Sequence, residues 1–191
     1  MSSASDITRL LGRVADGDHD ALDRVVRLLY DELRTMARQR LEGERVGHTL
    51  SATALVNEVY LKLAQHRRIN ARDRAQFFAV AATTMRRVLV DYARAKRRHK
   101  RGGGEAHVPL DEVEPFLSDE EAEEVLALDD ALNRLAEINP RGAQVVQHRF
   151  YAGLSLEETA ESLGVSAKTV QRDWVAARAW LRKEVARDLG S

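Results

Sequence analysis

Apolar side chains recur every three or four residues through the first hundred positions, the spacing that places them on one face of an α-helix. A helix is predicted to begin at Asp18, a favoured N-cap residue, and to run to about Leu41. Its apolar face carries Leu22, Val25, Val26, Leu29, Leu33 and Met36. A second helix, predicted to begin at Ser51, carries Leu55, Val59 and Leu63. A third is predicted from about Arg74 to His99, and its buried side carries Phe78, Ala82, Met85, Leu89 and Tyr92.

The C-terminal part of the chain continues the helical pattern, and capping residues mark where its helices begin and end. Two capping boxes, each a Ser followed three residues later by a Glu, predict helix starts at Ser118/Glu121 and Ser155/Glu158. Pro140 suits the first turn of a helix that is predicted to continue to about Phe150. Gly164 is a typical C′ residue, and Ser166 a typical N-cap for a last helix to about Leu189. Since no convincing strand pattern is present, the sequence predicts an all-α fold.

The short helix, the turn at Gly164 and the final helix together have the pattern of a helix-turn-helix. Ala160 leaves room for the second helix to approach, and Val165 fills the small core between them. The second helix of such a motif lies in the DNA major groove with its N-terminal residues at the base edges. The residues opposite its apolar stripe, which therefore face outward, are Lys168, Gln171, Arg172 and Val175. An ordinary helical hairpin is the alternative, but caps, turn and outward polar residues together favour DNA binding.

The zero net charge conceals two segments of opposite sign. Residues 67–101 hold twelve Lys and Arg against two Asp, whereas residues 105–130 hold eleven Asp and Glu and no Lys or Arg. The basic segment is suited to neutralising nucleic-acid phosphates, although cations are also favoured at any helix C-terminus. The glycines at 102–104 lie between the segments, so the acidic one is predicted to fold back and mask the basic one in the free protein.

Composition argues against catalysis, cofactors and membrane insertion. The chain has no Cys, its six His residues lack metal-ligand spacing, and neither a phosphate loop nor a nucleophile–base arrangement is present. No apolar run reaches eighteen residues, and the first six residues do not resemble a signal peptide. We therefore expect a cytoplasmic protein that is not an enzyme and needs no cofactor.

Three stretches resemble a bacterial RNA polymerase sigma factor of the extracytoplasmic-function (ECF) type, in the sigma-70 family. Residues 55–63 resemble region 2.2, residues 77–94 resemble regions 2.3 and 2.4, and residues 132–182 resemble region 4. A closer resemblance, through residues 48–56 and 85–94, is to an ECF-like subgroup. The resemblance implies sigma domain 2 at residues 1–101, an acidic linker at 102–128 and sigma domain 4 at 129–191. It also implies a non-enzymatic factor that directs polymerase core to promoters and promotes melting of the −10 element.

The resemblance also assigns roles to individual residues. The −35 element would be contacted by Arg149, Lys168, Gln171, Arg172 and Val175. The −10 element would be contacted by Asn70, Arg72, Asp73, Arg74 and Gln76, in a loop that captures a flipped base, and by Arg87, Arg94, Arg97 and Arg98. The beta and beta-prime subunits of polymerase core would be bound through Leu55, Val56, Asn57, Glu58, Tyr60 and Leu61. The free factor is expected to be a monomer.

The chain departs from ordinary ECF factors just before region 2.2, where acidic residues are usual and Ser51 and Thr53 stand here. Ser51 is interpreted as a helix cap. A sharper hypothesis is that a Ser/Thr kinase supplies the missing charge at Ser51 or Thr53. Candidate regulators are therefore such a kinase or an anti-sigma factor.

Two other functions fit parts of the sequence. A dimeric repressor or activator would use the same helix-turn-helix but would have no need of the helix at residues 55–63, so binding to isolated polymerase core separates the two. An enzyme with an appended DNA-binding domain is disfavoured by the missing catalytic motifs.

Overall fold

The computed structural model describes residues 4–41, 48–66, 69–100 and 117–190, and every regular element in these ranges is a helix. The α-helices are α1 Ala4–Ala15, α2 His19–Leu28, α3 Tyr30–Leu41, α4 His48–Ala64, α5 Arg74–Lys100, α6 Asp119–Ile138, α7 Pro140–Val146, α8 Leu156–Leu163 and α9 Ala167–Asp188. A π-helical turn, Gln147–Tyr151, continues α7. The predicted all-α fold is confirmed.

The first five helices pack around the apolar faces that the sequence predicts. Helix α1 packs on α2 and α5, α3 packs on α4, and α4 packs on α5. All six residues of the first predicted face are buried, as are Leu55, Val59 and Leu63 of the second. On α5, Phe78, Ala82, Met85 and Leu89 are buried, and Tyr92 is partly buried against the same core.

Two of the predicted helix bounds in this half are wrong. The helix predicted from Asp18 to Leu41 is interrupted at Leu29, where α2 ends and α3 follows. No Gly or Pro marks the junction, and Leu29, the C-cap residue of α2, is 1% exposed in the core. Helix α4 begins at His48, so Ser51 is its fourth residue rather than its N-cap. No Gly or Pro lies between His48 and Ser51 that would have marked the true start in the sequence.

The caps predicted in the C-terminal half are confirmed. The hydroxyl oxygens of Ser118 and Ser155 each accept from the backbone N–H of the Glu three residues on. The carboxylate of that Glu accepts in turn from the backbone N–H of the Ser. Ser166 caps α9, and Gly164 adopts the left-handed conformation with φ 65°. The α7 helix is shorter than predicted, because its last part, up to Tyr151, is a π-helical turn.

Helix α6 joins the two halves of the chain. It packs along α5 on one side and against α7 and α9 on the other. One apolar cluster therefore runs from Ile7 in α1 to Leu181 in α9. The predicted boundary between residues 128 and 129 falls inside α6, whereas linker residues 102–116 lie outside the described ranges. Within those ranges, no helix is both long and apolar enough to span a bilayer.

Candidate nucleic-acid interface

Helices α8 and α9 form a helix-turn-helix around a small apolar core of their own. Val145 of α7, Ala160 of α8 and Val170 of α9 are buried together. Val165 in the turn is partly buried against them, as the sequence predicts. The left-handed backbone at Gly164 turns the chain so that Ala160 of α8 and Val170 of α9 pack in the same cluster.

The predicted −35 residues of α9 are presented to solvent on one side of the helix. The exposed residues are Lys168, Gln171, Arg172 and Val175. Val175 is 58% exposed, so its methyl groups are available to an apolar contact. The apolar side of the same helix is buried through Val170, Ala177 and Leu181. An exposed polar face in the first half of a helix anchored by its other face suits insertion into a DNA groove.

Ion pairs fix the position of α9 against the rest of the domain. Arg141 of α7 donates through Nε to Oδ2 of Asp173 at 2.5 Å, and the Asp173 side chain is 10% exposed. This hydrogen bond holds the pKa of Asp173 below its ordinary value. At the other end of α9, Arg134 of α6 donates to Asp188 at 2.5 Å and lies 3.2 Å from Glu184. Helix α9 is therefore held by ion pairs in its second turn and at its C-terminal end.

Arg149, which the family resemblance assigns to a phosphate contact, is engaged inside the domain. Its Nη1 donates to the backbone carbonyl of Leu154, and its guanidinium lies 5.8 Å from the centre of the Trp174 ring. These contacts brace the loop between the π-helical turn and α8 against α9. The described geometry gives Arg149 a structural role, and its contact with phosphate stays a prediction.

Some of the predicted −10 residues in the loop before α5 bind other parts of the protein, and others are exposed to solvent. Asp73 caps α5 by accepting from the backbone N–H of Gln76 at 2.8 Å, and Gln76 accepts from the N–H of Arg72 at 2.9 Å. Arg74 is paired with Glu32 and lies 4.9 Å from the Phe78 ring centre. These side chains hold the loop in place.

The remaining residues of this loop line an open concavity. The side chains of Asn70 and Arg72 are exposed beside α1. Together with Thr8, Gly12 and Asp16 they border a cleft of about 590 Å³. The predicted base-capturing loop therefore offers a polar concavity, bordered by α1, next to the start of the basic helix.

Along α5 the predicted arginines differ in their environment. Arg87, Arg97 and Arg98 are exposed, whereas Arg94 is 50% exposed and lies 3.5 Å from Oδ2 of Asp129. Arg86, which the sequence reasoning missed, is only 17% exposed and binds the same carboxylate at 2.5 Å. The signal that could have found it is its position between Ala82 and Leu89 on the buried side of α5.

The predicted polymerase-binding segment of α4 is likewise only partly available. Leu55 and Val56 are buried in the core, at 0% and 2% exposure, and so support the helix. Tyr60 donates to Asp23 at 2.5 Å, which raises the pKa of the Tyr60 hydroxyl. Asn57, Glu58 and Leu61 are exposed. Thr53 is half-buried, and the Ser51 side chain lies outside the described residues.

A comparison with protein families supplies an independent finding. The family model described as ECF sigma factor matches residues 4–187, nearly the whole chain. No curated protein matches the chain.

Proposed function

Because the chain belongs to the ECF sigma factor family, we propose that it brings RNA polymerase core to promoters by reading a −35 element with α9 and melting a −10 element with α5. Members of this family bind RNA polymerase and start transcription at specific promoters. The observation that carries the finer assignment is the exposed polar face of α9, anchored by ion pairs in its second turn and at its C-terminal end.

The −10 part of the proposal is supported by the exposed residues at the start and along the length of α5. Asn70 and Arg72 border a concavity in which an unstacked base has polar partners. The exposed Arg87, Arg97 and Arg98 supply positive charge for the adjacent phosphates. Flipping a base requires DNA that unpairs easily, so an AT-rich −10 element is the proposed substrate. The factor acts in the cytoplasm, as a monomer until it joins core.

The test is transcription in vitro with purified core polymerase on a pool of genomic promoters. Discrete start sites that depend on the added protein support the proposed function. A protein that binds promoter DNA without binding core would instead be a repressor or activator, and a pool without dependent start sites contradicts the proposal.

A glutamate at Leu61 is expected to weaken core binding by about tenfold, because a charge would replace the one large apolar side chain among the exposed residues of the described 55–61 segment. Leu61 is 51% exposed, so the substitution leaves the core packing of α4 intact. Leu28 of α2 is a matched control, since it is 44% exposed and lies outside the proposed surface. Affinity for core is measured by fluorescence anisotropy with labelled factor, and equal losses for both variants contradict the assignment.

The kinase hypothesis predicts that an acidic residue at Ser51 or Thr53, near the start of α4, tightens core binding several-fold. The first turn of α4 has no acidic residue, and a phosphate there would be favoured by the helix dipole. Ser51 lies in that turn and Thr53 just beyond it, so Ser51→Asp is expected to act more strongly than Thr53→Glu. Ser51→Ala and Thr53→Val are the uncharged controls. Core affinities equal to those of the controls would contradict kinase regulation at these positions.

A further inference from the structure

A cavity of about 270 Å³ lies where α3, α5, α6 and the π-helical turn meet, and none of the residues proposed to contact DNA or polymerase lines it. Most of the side chains that line it are apolar, among them Leu89, Val90, Val125 and Leu128. Ligand pockets in proteins have this composition, a largely apolar lining with a few polar groups that orient the ligand. The size is close to the lower end of their range, about 300–1,000 Å³, and so suits a small molecule.

Arg40, near the end of α3, brings a positive charge to this cavity. Its guanidinium lies 4.4 Å from the centre of the Phe150 ring and 5.3 Å from that of Tyr151. Burial lowers the pKa of Arg40 to about 10, so the side chain stays charged at neutral pH. The ring faces stabilise the cation, but they leave its N–H donors without a strong acceptor.

The charge of Arg40 is not neutralised within the part of the chain that the structure describes. Its Nε is buried there without a hydrogen-bond acceptor. Burial and the neighbouring Tyr151 are the only influences that shift its pKa, and no carboxylate contributes. Arg86, the other arginine of the cavity, is by contrast bound to Asp129 and Asn133. A buried guanidinium without a counter-ion is unfavourable, so an anion that enters the cavity is stabilised at Arg40.

Tyr151 supplies a second polar group to the cavity. The residue is only 7% exposed, and the guanidiniums of Arg40 and Arg86 lie 5.3 Å and 5.7 Å from its ring centre. Burial raises the pKa of Tyr151 to about 12, so its hydroxyl stays protonated at neutral pH and can donate to an anion.

The acidic residues of the cavity favour an anion with a single negative charge. Glu121 and Glu124 of α6 also line it. The Glu121 carboxylate accepts from the backbone N–H of Ser118, and Glu124 is exposed. A phosphate group, with a charge of about −1.5 to −2, would be repelled by these glutamates more strongly than a carboxylate. The two oxygens of a carboxylate also match the fork of donors on a guanidinium.

We propose that this cavity binds a small organic carboxylate, with the carboxylate at Arg40 and the Tyr151 hydroxyl and the hydrocarbon body against Leu89 and Leu128. The factor then responds directly to a metabolite of this class. The site is separate from the surfaces proposed for DNA and polymerase, and an occupied site stabilises the folded chain in proportion to ligand concentration.

The test uses the full chain and two probes of the same shape, para-fluorobenzoate and its neutral counterpart para-fluorobenzamide. Binding is measured by broadening of the fluorine NMR signal, and hexanoate, which has no ring, is the competitor. Arg40→Gln removes the charge from the cavity, whereas Arg38→Gln removes a charge from a nearby exposed position of α3. Tyr151→Phe removes only the hydroxyl.

Wild type is expected to bind para-fluorobenzoate at least about tenfold more tightly than para-fluorobenzamide, because only the benzoate neutralises Arg40. Arg40→Gln is expected to lose about tenfold in affinity for the benzoate, and Arg38→Gln to retain wild-type affinity. Tyr151→Phe is expected to show a smaller loss. Hexanoate is expected to displace the benzoate and to raise the Tm of wild type but not that of Arg40→Gln.

Equal affinities of wild type for the two probes would overturn the proposal, as would the absence of binding by both carboxylates. Equal losses in Arg40→Gln and Arg38→Gln would also overturn it, since they would show a general attraction to surface cations. If Arg40→Gln loses its helical circular dichroism, Tyr151→Phe decides, and unchanged benzoate affinity in that variant contradicts the site. No readout requires a promoter or core polymerase, so failure of the proposed function would leave these results unaffected.

Discussion

Replacing Arg172 with alanine is expected to weaken recognition of the −35 element by about ten- to a hundredfold, with binding to core polymerase unchanged. The Arg172 side chain is 71% exposed on the outward face of α9, and its Nε lies 3.5 Å from Oδ1 of Asp173. A guanidinium that donates two hydrogen bonds to one base discriminates by about 1–3 kcal/mol, and each 1.4 kcal/mol is about tenfold in affinity. Because Arg172 touches neither α4 nor the core of the domain, the loss is confined to DNA.

The measurement is the affinity of reconstituted holoenzyme for a promoter with its −35 element intact and for the same promoter with that element scrambled. Arg182→Ala is the matched control, since Arg182 is exposed in the second half of α9, away from the recognition face. If Arg172 contacts bases, the Arg172→Ala holoenzyme binds the intact and the scrambled promoter with more nearly equal affinity than the wild type does. An equal loss on both would show that Arg172 contacts only phosphate.

Helix ends set by local chemistry were predictable from sequence, and those set by tertiary packing were not. The bounds of α8 follow from Ser155, Glu158 and Gly164, whose hydrogen bonds and backbone conformation involve only their neighbours in the chain. The break at Leu29 coincides instead with a side chain buried in the tertiary core, and no Gly or Pro marks it in the sequence. The early start of α4 carries only a weak local signal, because Gly47 precedes His48 whereas Ser51 is the stronger cap residue.

The candidate site shows the same division between local and distant information. Periodicity placed the outward face of α9 correctly, since it needs only the helical repeat and the position of the apolar stripe. Resemblance assigned Leu55 and Val56 to polymerase binding as part of a contiguous segment, although the helix turns both into the core. The pairing of Arg86 with Asp129 joins residues 43 positions apart. Charge counts identified the two segments but not which carboxylate meets which arginine.

Loss of the Arg141–Asp173 pair is expected to destabilise the C-terminal half by about 1–2 kcal/mol at neutral pH. A hydrogen bond to a charged group contributes about 1.5–3 kcal/mol, and the 49% exposure of Arg141 reduces that value through solvent screening. The variant Asp173→Asn retains the shape of the side chain and removes its charge. Both tryptophans of the chain, Trp174 and Trp180, lie on α9, so urea unfolding followed by tryptophan fluorescence reports on this half selectively.

The free energy of unfolding is compared between wild type and Asp173→Asn at several pH values. If the carboxylate is the source of this stability, the difference between the two proteins depends on pH. The pKa of Asp173 is lowered from 3.8 mainly by the hydrogen bond from Arg141, so the folded state holds the carboxylate ionised more strongly than the unfolded state does. Its contribution is therefore fully present above about pH 4 and is lost as pH falls through the lowered pKa of the folded protein. Glu161→Gln, an exposed substitution on α8, is the control for removal of one carboxylate from the surface. A difference in the free energy of unfolding that persists unchanged at pH values below the Asp173 pKa would mean that packing of the side chain, rather than its charge, holds α7 to α9.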